Sequence, residues 1–182
     1  YGLCSCNGRD MSYTGGLRMR LIKENFSNMM RDSLESLDWF DSPISKNPVS
    51  LISDQIDTSV EIKPNIIGIS SEDLDYSEAE MGSNLTENRW SFYIDILAES
   101  EAVGLHLSGD IFDILRGKIS AAGRTRPSLE VKDLLSPDLD VIFTCQLDGI
   151  VLNRVRDWER AYNKYWWVVS CDVIDTYYDD TI

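Results

Sequence analysis

A cluster of carboxylates between residues 71 and 88 has the greatest capacity for chemistry in this sequence. Its members are Glu72, Asp73, Asp75, Glu78 and Glu80. Carboxylate oxygens at this spacing could bind a hard cation, but a calcium loop also needs a glycine at its sixth position and a distant bidentate glutamate. The segment has neither, so the sequence predicts a solvated acidic loop and no metal site.

Nucleophiles and bases are sparse elsewhere in the chain. The four cysteines, Cys4, Cys6, Cys145 and Cys171, match neither a zinc site nor a disulfide framework, because His106 is the single histidine and no second close cysteine pair exists. No serine or cysteine lies in a nucleophile motif, and no glycine-rich phosphate-binding motif occurs. The sequence therefore predicts ordinary thiols, no catalytic residue and no cofactor, and we expect the chain not to be an enzyme.

The charge balance restricts the classes of ligand. The chain has 31 acidic residues against 17 basic ones, for a net charge of -14. Duplex DNA and anionic membrane surfaces attract clustered lysine and arginine, so this composition argues against both as ligands. Hydrophobic residues make up 43% of the chain, enough for a globular core. No apolar run reaches the roughly 18 residues that a membrane-spanning helix requires.

Two helices are predicted from apolar residues at steps of three and four. The first covers about residues 17–38 and ends before Pro43, and the second covers about 100–117, with Gly117 as its C-terminal stop. Residues 1–16 are polar and lack the apolar core of a signal peptide, so we expect a flexible arm.

The strands show a different periodicity. A β-branched run at 65–70 and an alternating run at 90–97 predict two strands, with 71–88 between them as a long loop or a projecting hairpin. Residues 41–64 are predicted to be extended, with one short element near 48–56.

The last third of the chain contains the strongest strand signal. Asp148-Gly149 separates the apolar runs 140–147 and 150–156, which predicts a β-hairpin. A further strand is predicted at 166–178, and the preceding segment 118–137 is predicted to be a basic connection. One face of the last strand is apolar and the other mixed, as in an antiparallel sheet with one buried face.

These elements predict an α+β fold for residues 17–182, taken as a single domain. Its core would be a mostly antiparallel sheet of about five strands flanked by two helices, with an extended loop and an N-terminal arm.

Charge is segregated along the chain. Residues 71–110 hold ten acidic residues and one basic residue, whereas 116–132 hold five basic residues and one acidic residue. Residues 151–165 add a further net charge of +2. A subunit with separate acidic and basic patches can join head to tail with copies of itself, and such contacts can close into rings.

The order of the elements resembles the tail terminator family of long-tailed bacteriophages, and more loosely the neighbouring head-completion and neck proteins. The resemblance covers about residues 17–178 and lies in the layout rather than in any motif. The segments that carry it are Leu37-Asp38-Trp39, the strand Ile66 to Ile69, the acidic loop, the strand Trp90 to Leu97, the helix end Ile114-Leu115-Arg116-Gly117 and the closing strand Trp166 to Val173.

The resemblance implies a structural virion protein of the tail or neck, assembled in the host cytoplasm. Such a subunit forms a hexameric ring that caps the tail tube and joins it to the head connector. Its partners would be other copies of itself, the tail tube protein and a head-completion or connector protein, and DNA would cross the ring only as cargo. The residues expected at subunit or tube interfaces are Glu72, Asp73, Asp75, Glu78, Glu80, Arg124, Arg126, Lys132, Arg154 and Arg156.

Three other functions remain open at this point. The chain could be a head-completion or neck adaptor, an acidic adaptor that binds a basic partner, or a small acidic enzyme that uses loop 71–88.

Overall fold

The computed structural model describes residues 15–40, 49–52, 56, 65–72, 76–78, 85–118, 127–136, 138–155 and 165–178. Within these ranges, two helices pack on one face of a single mixed sheet, so the α+β fold class is confirmed. The elements are α1 (Gly15–Glu35), β1 (Ser50–Ile52), β2 (Ile66–Glu72), β3 (Tyr76–Glu78), β4 (Leu85–Leu97), α2 (Glu101–Leu115), β5 (Ser128–Lys132), β6 (Val141–Arg154) and β7 (Trp166–Tyr178).

The described sheet has seven strands, not the five that the sequence predicted. Its order is β1-β2-β4-β7-β6-β5. The short strand β3 also pairs with β4, on the same edge as β2. Every pairing is antiparallel except that of β1 with β2. β4 and β7 lie at the centre and pair along all of their length, from Leu85 opposite Tyr178 to Leu97 opposite Trp166. The expected short element near 48–56 is β1, whereas β5 lies in the segment predicted to be a connection.

The acidic segment forms part of a long hairpin, which was one of its two predicted forms. β2 and β3 pair in succession with the same edge of β4: Glu72 lies opposite Ser91, and Tyr76 lies opposite Asn88. The two strands therefore act as one interrupted arm, and β4 is the other arm. The strand predicted at 90–97 begins five residues earlier, at Leu85.

The prediction of a hairpin at Asp148-Gly149 is wrong. β6 runs without a turn from Val141 to Arg154, and its register with β7 shifts between Asp148 and Val151. Two residues of β6, Gly149 and Ile150, therefore stand opposite one residue of β7, as in a β-bulge. Gly149 has φ +58°, which suits a bulge as well as a tight turn.

The bulge changes which residues of β6 face the helices. Cys145 and Leu147 are buried before it, and the partly buried Ile150 and Leu152 pack against the core after it. A one-residue insertion moves the buried face from odd to even positions, because side chains alternate along a strand.

The core lies between the helices and this face of the sheet. Phe26 of α1 and Phe92 of β4 are fully buried with ring centroids 4.3 Å apart. The alternation predicted for 90–97 and the apolar face predicted for 166–178 are confirmed; the residues of these two faces in the core are Trp90, Phe92, Ile94, Ile96, Trp167, Val169, Cys171 and Val173. Leu97, which alternation places on the opposite face of β4, is also fully buried. The helix α2 approaches closely through Gly104, which lies against the indole of Trp167.

Both helices end in hydrogen-bonded caps. Ser100 caps the start of α2 by accepting a bond from the amide of Val103, and Gly117, at φ 71°, follows its last turn as predicted. The helix α1 begins at Gly15, so the expected arm 1–16 overlaps its first two residues; residues 1–14 lie outside the described ranges. It ends at Glu35 rather than near 38.

The end of α1 uses an aspartate where glycine is usual. Asp38 has φ 59°, its amide bonds to the carbonyl of Glu35, and the amide of Trp39 bonds to the carbonyl of Leu34. This pattern turns the chain so that Trp39 enters the core.

Replacing Asp38 with glycine is expected to stabilise the fold by about 0.5 to 1 kcal/mol, because glycine adopts the left-handed conformation without a Cβ clash. Urea unfolding of Asp38→Gly measures this gain. Glu35→Gly, in the last helical turn, is the control and should instead lose about 1 kcal/mol. A loss of stability in Asp38→Gly would contradict the interpretation.

Candidate interaction surfaces

Two of the acidic residues predicted at an interface, Glu72 and Glu78, lie on the β2–β3 arm. Glu72 ends β2 and accepts a long hydrogen bond of 3.4 Å from the Tyr93 hydroxyl, and Glu78 ends β3. Asp73, Asp75 and Glu80 lie outside the described residues. Glu72 and Glu78 therefore both lie on strands that pair with the edge of β4 facing away from β7.

The two described basic residues predicted at an interface, Lys132 and Arg154, lie on β5 and β6, across the sheet from the acidic arm. Lys132 ends β5, which is the edge strand at the far side of the sheet. The strands β4, β7 and β6 lie between it and the acidic arm. Its backbone NH and CO bond to the side chain of the buried Asn25 on α1, at 3.0 and 3.1 Å. Arg124, Arg126 and Arg156 lie outside the described residues.

Arg154 has partners within its own subunit. Its guanidinium lies 2.5 Å from Glu101 at the start of α2 and stacks over the ring of Trp167 at 5.5 Å. This pairing partly neutralises the cation, so Arg154 contributes less to an external electrostatic contact than the sequence suggested. The predicted residues that the structure describes thus form separate positions and not one cluster.

The described reactive groups, His106, Cys145 and Cys171, lie in ordinary packing environments, and Cys4 and Cys6 lie outside the described residues. His106 packs edge-on against Trp39, whose indole NH donates to Asp110 at 2.9 Å. Burial raises the pKa of the Cys171 thiol to about 12 and raises that of Cys145 still further. Both cysteines are therefore protonated near neutral pH, and a buried thiol is a weak nucleophile.

Among the described residues, no group of three or more histidine, cysteine, aspartate or glutamate side chains could hold a metal ion. No helix in these ranges is long and apolar enough to cross a bilayer.

The sheet face opposite the helices carries a polar network. The Trp166 indole donates to Asp95 at 2.9 Å, and the Ser91 hydroxyl donates to Asp172 at 2.8 Å. Desolvation raises the pKa of Asp95, and the bond from Trp166 opposes that shift. The network fixes side chains across β4 and β7, which makes this face an ordered, mixed surface.

A surface that sequence reasoning missed lies at the β5–β6 loop. Leu135 is 96% exposed, Leu139 is 48% exposed and Val141 is 50% exposed. Asp138 and Asp140 are also exposed in this loop. The signal was present as a mixture of leucines and aspartates at Asp133, Leu134, Leu135, Asp138, Leu139 and Asp140, but such a pattern alone does not separate a loop from a strand.

Beside this loop, α1 carries a shallow basic groove. It has a volume of about 340 Å³ and is lined by Lys23, Arg31 and Leu134, among others. Lys23 and Arg31 are two turns apart on one helical stripe. Neither forms an ion pair within the described part of the chain, because each ion pair there involves another cation.

Comparison of the sequence with models of known protein families and with curated proteins finds no match.

Proposed function

We propose that this chain is a structural subunit of a long-tailed phage particle that assembles into a hexameric ring, caps the tail tube and joins it to the head connector. The observation that carries the proposal is the placement of the acidic arm and of Lys132 at opposite sides of the sheet. A ring of identical subunits needs two different, complementary patches on each copy.

A second cation besides Lys132 lies on this side of the sheet, at the end of α2. Arg116, just after the helix, is exposed and stacks over the Phe112 ring at 5.3 Å, and it forms no ion pair within the described residues. It lines the same groove as Pro127, at the start of β5, so its charge lies on the β5–β6 side of the molecule. The acidic arm of one copy would meet this side of the next copy.

The sheet edges also suit repeated assembly. The strand β1 is short, pairs on one side only within the described residues, and leaves Ile52 exposed. At the other edge, Asn25 occupies the NH and CO of Lys132. A sheet with one free edge and one blocked edge can pair with a further strand on one side only, which limits uncontrolled strand addition.

The oligomeric state tests the proposal directly. Light scattering coupled to size exclusion is expected to give the mass of six subunits, and negative-stain images are expected to show rings that bind the ends of isolated tail tubes. Because the contact is electrostatic, the rings should weaken as salt rises. A strict monomer that adds to no tube would overturn the proposal.

Charge reversal identifies the contact. Glu72→Lys combined with Glu78→Lys is expected to break the ring, whereas Glu35→Lys, at the end of α1, should leave it intact. Rings that bind DNA-filled heads but not tubes would assign the chain to head completion instead.

A further inference from the structure

The β5–β6 loop adjoins the groove of α1, because Leu134 of the loop lines that groove. We call this surface the α1–loop patch and define it by Lys23, Arg31, Leu134, Leu135, Asp138 and Asp140. Leu134 lines the groove, and the adjoining Leu135 projects into solvent, so a cavity and a protruding apolar side chain lie next to each other.

From this arrangement we infer that the α1–loop patch pairs two copies of the chain across a two-fold axis, with Leu135 of each copy seated in the α1 groove of the other. A two-fold contact requires a surface that complements itself, so that each half of the patch matches the other half. This patch meets that requirement in both shape and charge.

The charge match rests on unpaired groups. Lys23 and Arg31 on α1 form no ion pair within the described residues, and neither do Asp138 and Asp140 in the loop. Glu24, which also lines the groove, is already bonded to Arg20 at 2.8 Å. The groove is therefore basic and the loop acidic, and a two-fold axis places each loop against the partner's groove.

The size match rests on the groove. The groove is open to solvent, has a volume of about 340 Å³ and is lined by Leu134 and by the aliphatic stems of Lys23 and Arg31, so a leucine side chain fits against apolar atoms. Leu135 is 96% exposed, and seating it removes its apolar surface from water. The ring contact uses Glu72, Glu78, Lys132 and Arg116, none of which belongs to the α1–loop patch, so either proposal can fail without the other.

The experiment measures self-association by sedimentation equilibrium up to about 1 mM, a range that covers weak dimers. The wild-type chain is expected to contain the two-fold pair. Leu135→Asn should raise the dimer dissociation constant about 100-fold, because the loss of a buried apolar side chain enters twice in each dimer. Leu105→Asn is the matched control, since Leu105 is 62% exposed on α2 beside Arg154 and Trp167, and it should change nothing.

Two charge variants make the test specific. The acidic variant carries Lys23→Glu and Arg31→Glu, and the basic variant carries Asp138→Lys and Asp140→Lys. Each alone should fail to pair because like charges then face each other, whereas their equimolar mixture should form a heterodimer. All four positions are free of ion pairs in the described structure, so we expect the variants to fold, which circular dichroism checks.

The outcomes separate the alternatives. A wild-type chain that stays monomeric at the highest concentration overturns the proposal and leaves the patch to another protein. Association that survives both charge variants and Leu135→Asn also overturns it. If the wild type forms larger rings, each variant must abolish the pairing of two copies through the α1–loop patch while the ring remains. The equimolar mixture of the two charge variants must restore that pairing.

Discussion

Asp175→Asn is expected to destabilise the fold by about 3 to 5 kcal/mol, the usual cost of removing one partner from a buried ion pair. Arg18 of α1 binds both oxygens of Asp175 at 2.7 Å, and the two side chains are only 11% and 1% exposed. The guanidinium lies between the rings of Phe143 and Tyr177, at 4.0 and 4.5 Å. Without the carboxylate, the cation is left in an apolar enclosure.

Urea unfolding of Asp175→Asn measures this cost from the shift in midpoint at constant slope. The exposed pair Arg20–Glu24 is the matched control, and Glu24→Gln should cost no more than about 0.5 kcal/mol. The double variant Arg18→Met with Asp175→Leu should recover most of the loss, because an apolar pair of similar volume needs no desolvation. Equal, small effects in Asp175→Asn and Glu24→Gln would show that this ion pair does not anchor α1.

The second large effect is expected at Gly104, where alanine should destabilise the fold by about 3 kcal/mol. A Cβ at this position would lie 1.9 Å from Cζ3 and 2.3 Å from Cη2 of Trp167, so α2 or the indole must move. Trp167 is buried in the core, and such overpacking costs about 1 to 3 kcal/mol or more.

Gly109, in the same helix, provides the control with the opposite sign. Nothing lies within 4 Å of a Cβ built there, so Gly109→Ala should stabilise the fold by about 1 kcal/mol through helix propensity alone. Thermal or urea unfolding of the two variants decides the matter. If both alanines shift stability in the same direction, α2 does not pack against Trp167 as closely as the structure indicates.

Features with a local cause were predictable from the sequence. Ser100 and Gly117 flank α2, whose ends lie within two residues of the predicted limits, because caps depend on side chains and dihedral preferences within one helical turn. The buried faces of β4 and β7 follow from alternation, which is also a local property.

Features that depend on distant partners were not predictable. Asp148-Gly149 has the same local chemistry in a turn and in a bulge, and the bulge forms because β7 pairs on both sides of it. The strand β5 has only five residues, and it is recognised as a strand through its pairing with β6.

The candidate surfaces divide in the same way. The acidic segment and the low number of reactive groups are properties of composition, so the sequence determined them. The separation of Glu72 from Lys132 by three strands, the burial of the Arg18–Asp175 pair and the union of the α1 groove with Leu135 were decided by the tertiary structure. Arg18 and Asp175 are 157 residues apart. Periodicity and capping act within a few residues, whereas these contacts exist only once the sheet order has brought remote segments together.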